Sequence, residues 1–231
     1  MFLNEKKILN IMFTGVIRPN LETVKKNIVE NINFISSRYN NKYKIIYNIV
    51  FYKNNYSHDL SLFLNELKKK ENLYLRYNAI EPIEVSHYCK IPNLYRMIVS
   101  LNKTLELIEE YESIVVRIRI DTRIKILDIS DNIKNNDLFA CYVNKSNTQL
   151  SDNIFYSNYY NIKKLIDLNM YSSNSKFYSN PESYIYSIAE YYNFNVINYN
   201  YEFNLYQSNE EFYDGVAQWS KRNRTFSNKI T

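Results

Sequence analysis

Apolar runs of strand length alternate with amphipathic stretches of helical length as far as Ile120. Ile8 to Phe13 reads as a buried strand. Thr14-Gly15 then turns the chain, and Asn20 stands where a helix N-cap would. Leu21, Val24, Ile28, Ile32 and Ile35 follow on one helical face. Lys44 to Tyr52 is a second strand. Ser57 to Lys69 is a second helix carrying Leu60, Phe63, Leu64 and Leu67, and Asn72 to Asn78 is a third strand. After a loop punctuated by Pro82 and Pro92 comes a third helix, Asn93 to Tyr111, with Leu94, Ile98, Leu101, Leu105 and Ile108 on one face. Ser113 to Ile120 is the fourth strand. The order βαβαβαβ leaves few options, because parallel strands need crossover connections and both sheet faces then need cover. An α/β fold is expected: a mainly parallel twisted sheet with helices on both faces.

The second half is less regular. Asp137 to Val143 and Asn153 to Tyr156 read as strands, Asn161 to Met170 as a helix, and Asn195 to Tyr201 as a last strand. Asn180-Pro181-Glu182 is a strong helix start: an N-cap, a proline at the first helical position and an acid in the first turn. That helix should run to about Tyr192. No repeat or linker interrupts the chain before Gln207. One domain over residues 1–206 is expected, with 207–231, anchored only by Trp219, as a docked or partly disordered tail.

Composition removes several function classes. With only 2 glycines, Gly15 and Gly215, the chain cannot hold a G-x-G-x-x-G or Walker A loop. Asparagine, abundant here, takes the turn positions that need positive φ. The net charge is +5, but the basic residues are scattered. Their densest run, Lys68-Lys69-Lys70, ends a helix, where it complements the dipole. No nucleic-acid partner is expected, since that needs basic and aromatic residues clustered on one surface. Cys89 and Cys141 lack metal-ligand spacing and fit a reducing compartment, and His58 and His87 have no partners at zinc spacing. No run reaches the length of a transmembrane segment, and the N-terminus does not read as a signal peptide. A cytoplasmic location is expected.

In an open α/β sheet, ligands sit beyond the carboxyl ends of the strands. Two loops meet that condition: Thr14-Gly15-Val16-Ile17-Arg18 after the first strand and Asp121-Thr122-Arg123 after the fourth. Arg117, Arg119 and Asp121 alternate along the fourth strand and share one face. Three charges on a core strand are costly unless paired. Two readings are open: an internal Arg–Asp ion-pair ladder, or a site in which the arginines hold an anion and Asp121 a metal or sugar. Asp128, Asp131 and Asp137 follow in a polar stretch and read as solvated loop acids. Asp152 reads either as a turn residue in Ser151-Asp152-Asn153 or as a site acid, and Glu182 either as a dipole-complementing acid or as a base.

A first strand ending in Thr14-Gly15 with Arg18 nearby leads the series. A long helix follows, running into Val116-Arg117-Ile118-Arg119-Ile120-Asp121-Thr122; later come Ser151-Asp152-Asn153 and Asn180-Pro181-Glu182. This order resembles the small glycosyltransferase-like proteins of capsule and lipopolysaccharide gene clusters and of large DNA viruses. The resemblance covers about residues 7–206. It implies a GT-A-like (Rossmann-like) fold, a nucleotide-sugar donor and a surface or capsid glycan acceptor, in the host cytoplasm if the protein is viral. Asp121 matches the last acid of the D-x-D motif, which implies Mn²⁺ or Mg²⁺ on the donor diphosphate. Thr14, Gly15 and Arg18 match the loop that contacts the nucleotide. Asp152 and Glu182 match acids near the donor sugar or acceptor, the candidates for catalytic base. The first acid of D-x-D is replaced by Arg119. That replacement leaves two further readings open: diphosphate neutralised by Arg117 and Arg119 themselves, or a transferase-like binding or scaffold protein without turnover.

Overall fold

Four strands of this chain are parallel because three helices carry the chain back over the sheet between them. A computed structural model describes residues 6–17, 20–83, 92–143, 146–167, 180–199 and 201–205. The first unit is β1 (Lys7–Gly15), α1 (Leu21–Tyr39), β2 (Tyr43–Tyr52), α2 (Ser57–Lys70), β3 (Leu75–Ile80), α3 (Pro92–Leu105) and β4 (Ile114–Arg119). Then come β5 (Thr122–Leu127), β6 (Asp137–Phe139), β7 (Ile154–Asn158), α4 (Tyr159–Leu165), α5 (Pro181–Tyr191), β8 (Asn195–Ile197) and β9 (Tyr201–Leu205). The main sheet has seven strands in the order β3-β2-β1-β4-β7-β6-β8. β3, β2, β1 and β4 are mutually parallel, and β7 runs antiparallel to both β4 and β6. The expected mixed α/β architecture is therefore observed.

Each face of the sheet has its own apolar layer. Leu9, Ile11, Phe13, Val116 and Ile118 point to the side covered by α1 and α2, where Val24, Ile28, Ile32, Ile35, Leu60 and Leu64 are buried. Met12, Val115 and Phe155 point to the side covered by α3, α4 and α5, with Leu94, Ile98, Leu101, Ile162 and Ile188. The helical stripes read from spacing are thus the buried faces. Asn20 and Asn180 are the N-caps of α1 and α5, and Asn180 forms a capping box with Ser183. Asn72 and Asn193, one residue beyond the C-caps of α2 and α5, have φ of 49° and 52°. They occupy the left-handed position where glycine is usual, as the shortage of glycine predicts.

The structure differs from the sequence expectation at several points. α3 stops at Leu105 rather than Tyr111; the chain leaves the helix through a tight turn, and Arg76 ties it down through Leu107 O and the Glu110 carboxylate. The stretch after Asp121 is not a polar loop. It forms β5, which pairs antiparallel with β9 as a separate two-stranded sheet. The single last strand is accordingly two, β8 and β9. Asp137 is buried rather than solvated, because it accepts from Lys134 N and Asn195 Nδ2 at the start of β6. Asp128 and Asp131 are paired at the surface with Arg38 and Lys42. Arg18, His87, Cys89, Trp219 and the segment 207–231 lie outside the described residues.

Candidate functional site

Parallel pairing brings the carboxyl ends of β1 and β4 to one edge, with Thr14 opposite Arg119 and Met12 opposite Arg117. Antiparallel pairing brings the amino end of β7 there too, since Ile154 lies opposite Ile118. Asp152, two residues before Ile154, arrives at the same edge for that reason. The first turn of α5 is attached by Leu150 N, which donates to Glu182 O. Four segments distant in sequence thus converge on one place. Arg117 and Arg119 each lie within electrostatic reach of Asp121, Asp152 and Glu182.

Arg119 and Asp121 form a bidentate pair. Arg119 Nε donates to Oδ1 at 2.9 Å and Nη2 to Oδ2 at 2.7 Å. Asp121 is 3% exposed, so this pairing supplies the compensation that a buried carboxylate requires. Arg119 Nη1 lies 3.6 Å from Asp152 Oδ2, an ion pair too long for a hydrogen bond. Burial opposes the charge on Arg119, but its two carboxylate neighbours outweigh that cost and raise its affinity for the proton.

Arg117 is in a different condition. It is 2% exposed, and its Nε and Nη1 have no hydrogen-bond partner among the described residues. Its guanidinium carbon stands 5.8 Å from the Phe155 ring centroid, a cation–π contact that offsets part of the desolvation. Burial pushes it down to about 10, which still leaves it charged at neutral pH. Unpaired donors on a buried cation cost stability. Thr14 Oγ1 and Asn153 Oδ1 are further buried polar atoms without a partner among the described residues. Glu182 has its carboxyl pushed up, chiefly by burial and next by the Asp152 charge.

Gly15 ends β1 with φ of +144°, a conformation that side-chain-bearing residues rarely adopt. A Cβ there would come within 3.1 Å of Ile120 Cγ2. The glycine thus lets the β1 loop pass close to the β4 corner at Asp121.

One positioning residue was missed in the sequence. Asn31 of α1 donates to Thr122 O at 2.7 Å and accepts from Ile124 N at 2.8 Å, clamping β5 just beyond Asp121. The signal was a polar residue inside an apolar helical stripe.

The residues present do not fit a divalent ion as they are arranged. Both oxygens of Asp121 are engaged by Arg119, and Asp152 faces the same guanidinium. Among the described residues no group of three or more acidic, histidine or cysteine side chains is placed to hold a metal. A hard cation needs several oxygens converging on one point.

The architecture belongs to the GT-A-like, Rossmann-type class of α/β folds. Among solved structures, the chain is similar to the galactosyltransferase LgtC in complex with donor and acceptor sugar analogues. The TM-score is 0.53 at 11% identity, with 83% of this chain and 73% of that one covered. An active-site mutant of LgtC gives 0.52 at 11% identity, covering 83% and 72%. At this identity the likeness is one of fold. No protein-family model matches the sequence, and no curated protein does. Among the described residues, no helix is long and apolar enough to cross a membrane.

Proposed function

We propose that the protein is a glycosyltransferase that moves a sugar from a nucleotide-diphosphate donor to a glycan hydroxyl, in the cytoplasm. The observation that carries this reading is Arg117, a charged and buried guanidinium with unpaired donors at the ligand-binding edge of a GT-A-like sheet. Nature keeps such a cost where an anion completes the site. In this reading Arg117, Arg119 and Thr14 meet the diphosphate, Gly15 gives it room beside the backbone, and Arg18 belongs to the same loop.

The chemistry asked of these residues is compact. The acceptor oxygen attacks the anomeric carbon, the bond from that carbon to the diphosphate oxygen breaks, and the acceptor proton passes to a carboxylate. The guanidinium groups stabilise the charge that develops on the leaving diphosphate. Glu182 is the better base of the two candidates. Burial raises its carboxyl above the ordinary value and so makes it the stronger proton acceptor, whereas Asp152 faces Arg119. Asp152 then serves to orient Arg119 and the donor sugar.

A second reading is a transferase-like binding protein without turnover, favoured by the arginine that replaces the first acid of D-x-D. Calorimetry with a panel of nucleoside diphosphates and nucleotide sugars, followed by a hydrolysis and transfer assay, separates the two. Binding with turnover that is lost in Glu182→Gln supports the transferase. Binding without turnover supports the second reading, and absence of binding across the panel removes both.

A further inference from the structure

Asp121 takes only one edge of the Arg119 fork. A guanidinium carries five N–H donors. The two bonds to Asp121 use Nε and one hydrogen of Nη2, and they leave the outer Nη1–Nη2 edge. That edge is itself a fork of the kind that grips a phosphate bidentately. Asp152 Oδ2 stands 3.6 Å from its Nη1, outside hydrogen-bonding range. Asp121 therefore pins the arginine without saturating it. Arg117, two residues back on the same face, adds Nε and Nη1 donors that have no hydrogen-bond partner among the described residues.

The acids have the opposite arrangement. Asp121 spends both oxygens on Arg119, and Asp152 is turned to the same group. Glu182, in the first turn of α5, lies within electrostatic reach of Asp152 and of both guanidiniums. Cationic donors converge on the strand end, while the oxygens of Asp121 and Asp152 are turned to Arg119.

We infer that the nucleoside diphosphate is held by guanidinium groups with no divalent ion, the outer edge of Arg119 and the donors of Arg117 supplying the contacts that a metal would otherwise make to the diphosphate. This rests on the transferase or transferase-like reading above and deepens it. Asp121 becomes a positioning residue, holding the arginine rigid so that little is lost in ordering it when the diphosphate binds.

The test is calorimetric titration of the full chain with UDP and with GDP, in excess EDTA and then in saturating Mn²⁺ or Mg²⁺. The expected result is binding of at least one nucleotide in EDTA, with affinity changed by less than about threefold on adding the ion. Arg119→Gln should weaken that binding by roughly tenfold or more. Should that variant fail to fold, Arg119→Lys keeps the charge, loses the fork, and should still weaken binding measurably. Binding that requires the ion overturns the inference and leaves the transferase reading standing. Wild-type affinity in the folded Arg119 variants overturns it as well. Absence of binding with and without the ion overturns the nucleotide-site reading beneath it.

Discussion

The two faces of β4 obey different rules although their residues alternate along one strand. Val116, Ile118 and Ile120 enter the apolar layer under α1. Arg117, Arg119 and Asp121, on the other face, form a charged row at the carboxyl end of the strand. The first set needs only shape and volume. The second set needs partners, and the structure provides them unevenly: Arg119 and Asp121 have each other, while Arg117 keeps unpartnered donors. One face is satisfied by packing alone, and the other keeps donors without partners among the described residues.

The largest effect expected is at the pair. Asp121→Ala strips a buried guanidinium of its bidentate partner and should cost about 3–5 kcal/mol in urea unfolding. An unchanged unfolding midpoint would mean that the pair does not hold the corner. Ile118→Ala, on the apolar face, should cost about 3 kcal/mol through the cavity it leaves. Nucleotide affinity of the folded fraction should be unaffected. A loss of affinity there would erase the distinction between the faces.

Glu182→Gln sharpens the contrast through pH. The folded protein raises this carboxyl, so below its ordinary value of about 4.3 the group is protonated in both folded and unfolded chains and costs nothing. As pH rises through the raised folded value, the native state must ionise a buried acid beside Asp152, and stability falls. The glutamine variant should therefore match wild type in acid and exceed it at neutral pH, while losing turnover. Equal denaturation midpoints at both pH values would sink this account. The smallest stability change belongs to Arg117→Met. It exchanges an incompletely satisfied ion for an apolar chain and should move unfolding by about 1 kcal/mol or less. Its binding loss should nevertheless be large, and a titration of nucleoside diphosphate checks it.

Much of the fold could be read from the chain because its first half is built of local signals. The α1 stripe, the Asn20 and Asn180 caps and the strand runs are periodicities of two or 3.6, each contained in one segment. The end of α3 could not be read that way, because Ile108 keeps helical spacing after the backbone has left the helix. β5 was missed although Thr122 to Leu127 alternates. Its partner β9 lies at the other end of the described chain, and pairing of that kind has no local signature. The site shows the same division. Arg117, Arg119 and Asp121 share a face by alternation alone. The arrival of Asp152 depends on β7 running antiparallel, and the arrival of Glu182 depends on where α5 is docked. Alternation allows either an Arg119–Asp121 pair or an open anion site, and the geometry forms the pair while Arg117 remains outside it.

The β5–β9 ribbon also has a practical side. Asp121 sits at the corner where the chain leaves the main sheet for β5, and β5 is secured on one flank by Asn31 and on the other by β9. A shortened chain ending before Tyr201 would strip β5 of its only strand partner among the described residues. The exposed N–H and C=O row would then invite a second molecule to pair with it. Trimming for expression should therefore stop beyond Leu205, or self-association and a loosened charged corner will come together.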